Sequence, residues 1–176
     1  ITTFASGTDV AWTGAQLVGA NSLALRVEHG AGNFGETESV DYQLDTLAPG
    51  RRVMKAALSA DTGTSASDFV TAEANQTITG RLNRVLQAGE QLQGRVDAGD
   101  AWETIALGAN QRNFVWSGVT LSEGDHALEL RVVDIAGNAN TFSMDYTLVN
   151  DGPTTTVDGV ALSYDTGIAG DLITRI

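Results

Sequence analysis

Short stretches of alternating apolar and polar residues run along the chain. In Thr77-Ile78-Thr79-Gly80-Arg81-Leu82 the apolar or small residues fall on one face and the polar ones on the other. Gln91-Leu92-Gln93-Gly94-Arg95-Val96 does the same, as do Leu128-Glu129-Leu130-Arg131-Val132 and Phe142-Ser143-Met144-Asp145-Tyr146-Thr147-Leu148. A period of two places successive side chains on opposite faces, so each stretch predicts a strand with one buried face. Val53 to Leu58, Trp102 to Ala106 and Asn113 to Ser117 complete a set of seven between residues 50 and 150. Glycine, aspartate, asparagine and serine separate them, which are the residues tight turns select. No stretch has a helical period with caps. The pattern places Ile78, Leu82, Leu92, Val96, Trp116, Leu128, Leu130, Val132, Phe142, Tyr146 and Leu148 inside an all-β domain.

The pattern also recurs. Val40-Asp41-Tyr42-Gln43-Leu44 returns as Met144-Asp145-Tyr146-Thr147-Leu148, and Trp12-Thr13-Gly14 returns as Trp116-Ser117-Gly118. Ser59-Ala60-Asp61-Thr62-Gly63 returns as Ser163-Tyr164-Asp165-Thr166-Gly167. Pro49 and Pro153 set the period, 153 − 49 = 104 residues. A repeat of that length is a domain, not a solenoid rung. The organisation expected is the C-terminal part of one unit at 1–46, a complete unit at 47–151 and the N-terminal part of a third at 152–176. Seven short strands in about 100 residues is the count of an immunoglobulin-like sandwich. The expected fold class is therefore all-β, tandem immunoglobulin-like sandwiches of seven antiparallel strands each. The first unit keeps strands near Val10 to Thr13, Ser22 to Glu28 and Glu36 to Leu44; the third keeps its first strand and the loop after it. Each prolyl joint is short and stiff, because proline fixes φ and extends its predecessor.

Composition narrows the partners. The net charge is −12 and Lys55 is the only lysine, so no basic surface is available for nucleic acid. No apolar run is long enough to insert in a membrane. Cysteine is absent, which excludes disulfides and thiolate metal sites. Outside the cell, stability would then come from packing or from hard cations held by oxygen ligands.

Carboxylates gather in the loops. Asp61 and Asp68 bracket small polar residues after the first strand of the complete unit, and Asp165 and Asp171 do so in the third. Such a loop supplies several of the oxygens calcium requires, or it simply forms Asx turns at strand ends. Asp134 opens the Asp134-Ile135-Ala136-Gly137-Asn138 turn, where the first unit carries His29. In the expected topology Asp61, Asp68 and Asp151 lie at the exit joint and the Asp134-like residue lies at the entry joint of the next unit. Carboxylates gathered there repel one another unless a cation is shared.

Nothing points to catalysis. The two histidines are not equivalent between units, and nucleophile elbows, zinc-binding helices and phosphate loops are absent. Asp97-Ala98-Gly99-Asp100 with Trp102 reads as a hairpin packed on its tryptophan, and Trp12 and Trp116 read as core.

Leu58-Ser59-Ala60-Asp61-Thr62-Gly63, Asp68-Phe69-Val70-Thr71, Gln76-Thr77-Ile78-Thr79-Gly80, Asn113-Phe114-Val115-Trp116 and Leu130-Arg131-Val132-Val133-Asp134-Ile135-Ala136-Gly137-Asn138 stand in a characteristic order. The unit resembles the bacterial immunoglobulin-like repeats of giant type I-secreted surface adhesins, of the biofilm-associated and RTX-like kind. The resemblance implies a non-enzymatic extender at the cell surface that supports adhesion or biofilm formation. It implies neighbouring repeats of the same polypeptide as partners and calcium as the stiffening cofactor at the joints. Family joints commonly read Asp-x-x-Ala-Pro, which Asp45-Thr46-Leu47-Ala48-Pro49 fits; Val149 departs from it at the second joint. The expected ligands are Asp45 with Asp134 at the first joint and Asp61 or Asp68 with Asp151 at the second. The alternatives are an accessory or carbohydrate-binding module of a secreted enzyme, or a subunit of an extracellular filament.

Overall fold

A computed structural model describes residues 11–164, 166–168, 170 and 172–175. It contains ten strands: β1 (Ala20–Glu28), β2 (Phe34–Gln43), β3 (Val53–Ala57), β4 (Val70–Thr71), β5 (Asn75–Leu82), β6 (Gln91–Val96), β7 (Glu103–Thr104), β8 (Asn113–Thr120), β9 (Gly124–Val133) and β10 (Ala139–Leu148). Among the described residues no helix is long and apolar enough to cross a membrane.

Two sheets form the sandwich. One has the order β3-β5-β8 and the other β4-β10-β9-β6-β7. Alternation decides which side chains lie between them. On β9, Leu128, Leu130 and Val132 are fully buried, while Glu129 and Arg131 point out. On β10, Met144, Tyr146 and Leu148 are buried on the same side of the sheet, with Met144 opposite Leu128. Ile78, Leu82, Leu92 and Trp116 join this core as the alternation requires; Val96 and Phe142 pack at its margin, only partly buried. Val53, Ala56, Leu58, Ile105, Phe114, Val119 and Leu121 complete it.

Eight strands stand where seven were expected, because β4 forms within the stretch read as the loop after the first strand and joins the other sheet. β3 pairs antiparallel with β5. After a loop of small residues, β4 pairs parallel with β10, Val70 against Thr147 and Thr71 against Leu148. A β-sandwich leaves both sheets with an edge, and one strand split across the gap covers part of each. The loop that carries Asp61 and Asp68 is this crossing.

Two glycines let the aromatic core close. Cβ atoms added at Gly80 would stand 2.2 Å from the Phe114 ring and 2.4 Å from the Lys55 carbonyl oxygen. One added at Gly94 would stand 2.5 Å from the Trp116 ring. The two rings occupy the space that side chains would take.

The hairpin β1–β2 is a separate two-stranded sheet. Leu23, Leu25 and Val27 match Leu128, Leu130 and Val132 in sequence. Yet Val27 is 77% exposed where Val132 is 0%. Among the described residues no second sheet faces this hairpin, so its apolar face is in water. The same fact separates the two tryptophans expected in the core. Trp116 is buried, and Trp12 is 43% exposed. Residues 11–13 are not in a strand, contrary to the expectation there, and neither are residues 153–163.

Candidate functional site

The residues of interest lie at the two ends of the sandwich. At the entry end, the turn from β9 to β10 is built around Asp134. Its Oδ1 accepts from the backbone N–H of Ala136 and of Asn138, both at 2.9 Å. Its Oδ2 accepts from the Asn138 side-chain amide at 3.1 Å. Partial burial works against the charge, but these bonds to Asn138 and to the backbone outweigh it and hold the carboxyl pKa below its ordinary value.

Asn138 also reaches the entry segment. The same Nδ2 donates to the backbone carbonyl of Asp45 at 3.1 Å. Two more asparagines act alongside it. Asn140 Nδ2 donates to the Pro49 carbonyl at 3.4 Å and Asn83 Nδ2 to the Gly50 carbonyl at 3.1 Å, while Asn83 Oδ1 accepts from Arg52 N–H at 3.0 Å. Pro49 itself is buried. The entry segment is therefore held by neutral amides. An amide can donate to one backbone group and accept from another, which suits a segment crossing at no fixed register. Asp45 is exposed, and its Oδ1 accepts from Leu47 N–H at 3.0 Å as an Asx turn. Asp45 and Asp134 are thus linked through Asn138. The sequence marked Asn138 only as a turn residue; Asn83 and Asn140 carried no signal beyond their polarity.

The turn at His29 has the same backbone bonds with a different acceptor side chain. There Ala31 N–H donates to His29 Nδ1 at 3.2 Å, and the backbone bonds of the turn recur: His29 N–H to Asn33 O and Asp134 N–H to Asn138 O. A ring nitrogen replaces a carboxylate oxygen as the acceptor. We expect Asp134→His to melt close to the parent chain and Asp134→Ala to melt several degrees lower. Because the folded pKa of Asp134 is lowered, its stabilisation is present above the ordinary carboxylate value and is lost as pH falls through the folded value. Thermal melts of both variants at pH 7 and pH 3 check this; a gap between parent and Asp134→Ala that does not narrow in acid refutes it.

At the exit end lies the crossing loop. Asp61 Oδ2 accepts from Phe69 N–H at 3.2 Å, and Asp68 Oδ1 accepts from Val70 N–H at 3.2 Å. Asp61 Oδ1 is buried and has no partner. The loop is anchored from below by Gln76, which is 3% exposed. Its Oε1 accepts from Ser59 Oγ and Ala60 N–H, and its Nε2 donates to the carbonyls of Ala60 and Glu73. Thr71, also buried, donates its hydroxyl to Ala60 O at 2.7 Å. Thr62 Oγ1 closes the loop by accepting from Ala72 N–H at 2.7 Å.

The loop after Thr166 repeats the closure. Thr166 Oγ1 accepts from Arg175 N–H at 2.9 Å. Gly63 and Gly167 have φ of 101° and 97°, and Phe69 and Leu172 have φ of 61° and 59°. A non-glycine residue in the left-handed region costs about 1–2 kcal/mol. Its recurrence with a different side chain shows that the loop's short-range bonds dictate it. Asp165 and Asp171 lie outside the described residues.

The exit strand passes beside this loop. Val149 N–H donates to Thr71 O at 2.9 Å, and Asn150 N–H donates to Glu123 Oε1 at 3.1 Å. Asp151 is exposed and is not in hydrogen-bond contact with Asp61 or Asp68. An open acidic recess of about 520 Å3 nearby is lined by Asp68, Asp125, His126, Asp145, Tyr146 and Thr147. Among the described residues no three acidic or histidine side chains converge as a metal-binding group.

The Asp97 hairpin differs in one respect from its expected form. Trp102 lies on the solvent-facing side of β6 and β9, with the guanidinium carbons of Arg131 and Arg95 at 3.9 and 4.4 Å from its ring. Arg95 is held there by Glu129, with Nε to Oε2 at 2.6 Å. The ring covers ionic groups, not the core.

The profile of a family described as bacterial Ig-like domain matches residues 49–151. No curated protein matches the chain.

Proposed function

The chain belongs to the bacterial Ig-like domain family, and from that premise we propose that it is a run of extender repeats in a cell-surface adhesin. In this reading it does no chemistry. It holds a distal binding domain away from the cell, and its units are those read from the sequence, 1–46, 47–151 and 152–176. Its partners are the neighbouring repeats of its own polypeptide.

The observation that carries the reading is the grip on the entry segment. Asn138, Asn140 and Asn83 hold the backbone carbonyls of Asp45, Pro49 and Gly50 against the end of the sandwich. A flexible tether would leave those carbonyls to water. A held joint transmits orientation from one unit to the next, which is the property an extender requires.

Calcium completes the reading. The buried, unpartnered Asp61 Oδ1 is a place where a cation would supply the missing partner. Asp61 and Asp68 would hold it, with Asp151 at the same end and Asp165 and Asp171 in the next unit. Asp45 and Asp134 are the weaker pair, because both Asp134 oxygens already accept hydrogen bonds and Asp45 is exposed, whereas one Asp61 oxygen is buried without a partner. The ion would neutralise the loop carboxylates and hold the crossing against the exit strand.

Calcium at a hundredfold excess over its Kd should stabilise the folded chain by about 2.7 kcal/mol, reversed by EDTA and abolished in Asp61→Asn. Small-angle scattering in calcium should report an extended particle. Millimolar calcium without heat of binding or change in melting temperature would remove the ion from this reading. A maximum dimension no larger than one sandwich would remove the extender itself.

A further inference from the structure

His126 stands at the exit end between two groups that can only accept hydrogen bonds. Its Nδ1 lies 2.8 Å from Asp97 Oδ1, and its Nε2 lies 2.9 Å from the Glu123 carbonyl oxygen. A neutral imidazole has one N–H, so it can satisfy one of them. Only the doubly protonated ring satisfies both. The ring stacks on Tyr146 with centroids 5.8 Å apart and planes at 23°, which fixes its direction. Tyr146 in turn accepts from Ser122 N–H through its hydroxyl at 3.2 Å. The turn from β8 to β9 is thus held from two sides, and Glu123 within it holds the linker through Asn150 N–H.

We propose that His126 is a proton-operated clasp on the exit joint: the imidazolium ties the Asp97 hairpin to the Ser122–Gly124 turn, and Glu123 passes that order to the linker at Asn150. Deprotonation removes one of the two bonds and loosens the turn that grips the linker. The inference does not depend on the calcium reading or on the adhesin.

The surroundings favour the charged ring. The Asp97 and Asp100 carboxylates face this region from the β6–β7 hairpin, Asp145 from β10, Asp68 from the crossing loop, and Asp125 and Glu123 from its own strand and turn. Among the described residues no lysine or arginine lines the recess. The bond to the Glu123 carbonyl and then the bond to Asp97 raise the His126 pKa above its ordinary value of 6.5, against partial burial. The sign follows. A raised folded pKa gives stabilisation that is complete below the ordinary value and lost as pH rises through the folded value.

The test is imidazole 15N NMR and amide hydrogen exchange on the full chain between pH 5 and pH 9, with exchange corrected for its intrinsic pH dependence. His126 should show both nitrogens protonated at pH 6 and should titrate above the ordinary imidazole value. The protection of the Ser122 and Asn150 amides should fall several-fold as it does so. Asp97→Asn should lower the His126 titration; asparagine tolerates the positive φ of 65° at that position. His126→Phe should keep the stacking and flatten the pH profile of both amides. Glu123→Ala keeps the carbonyl, so His126 should titrate as before while Asn150 loses its pH response. A singly protonated His126 at pH 6, a titration indifferent to Asp97→Asn, or an Asn150 that follows pH in Glu123→Ala would each overturn the clasp.

Discussion

Gly80→Ala should destabilise the sandwich by about 3 kcal/mol, at the upper end of what overpacking a core costs. The added methyl would stand 2.2 Å from Phe114 Cζ and 2.4 Å from the Lys55 carbonyl oxygen. A flexible side chain could swing away from such a contact. Phe114 cannot, because it is 1% exposed and closed in by the core. The Lys55 carbonyl cannot, because β3 pairs with β5 on both sides of it, Lys55 against Arg81 and Ala56 against Gly80. The strands must part, or the ring must leave its rotamer. For a domain of this size, 3 kcal/mol lowers the melting temperature by roughly 12–20 °C. Gly99→Ala is the control. A Cβ there meets nothing within 4 Å, so its effect should stay within about 0.5 kcal/mol. Denaturant unfolding of the two variants decides it. If Gly80→Ala unfolds at the same midpoint as Gly99→Ala, the close packing of Phe114 on β5 is not what the core depends on.

Gln76→Leu should cost about 3 kcal/mol although it replaces a polar core residue with an apolar one of similar size. All four hydrogen-bonding positions of this amide are used. Leucine leaves Ala60 N–H and the Glu73 carbonyl without partners; an orphaned buried group costs about 1–3 kcal/mol. The Ala60 carbonyl keeps its bond from Thr71 Oγ1, so the loss falls short of four full bonds. The consequence reaches the site. Ser59, Ala60 and Glu73 flank the crossing loop, so its Asp61 carboxylate and the β4 edge should lose their fixed positions together. Hydrogen exchange at Phe69 and Val149 should rise in Gln76→Leu beyond what the global loss of stability accounts for. If exchange there tracks global unfolding alone, Gln76 stabilises the domain without anchoring the loop.

Both residues lie within alternating segments that the sequence marks as strands, yet their weight is visible only in three dimensions. Gly80 sits on the inward side of its segment, where alternation places a small residue. That this residue must have no side chain at all follows from the Phe114 ring, which arrives from another strand. Gln76 looks like a polar residue at a strand edge. Its burial follows from the loop that folds back over it.

Local sequence determined what local forces decide. Period-two alternation depends only on neighbours in the chain, so the strands, the buried faces of β5, β6, β9 and β10, and the repeat itself were legible. The turn at Asp134 and the loop after Asp61 were legible too, because side chains within ten residues close them. Their recurrence around His29 and Thr166 confirms that short-range origin. The tertiary structure decided whatever depends on groups far apart in the chain. The crossing from β3 to β4 between sheets depends on the free edge of β10. The amide grip on the entry segment spans about ninety residues, from Asp45 to Asn138, and no carboxylate pattern announces it. The exposure of β1 and β2, whose sequence matches a buried hairpin, depends on which strands stand opposite them. The meeting of His126 with Asp97 requires β6 and β9 to pair in register, Val96 against Leu128. Which face is apolar is written in single segments; what lies against that face is set by packing between them.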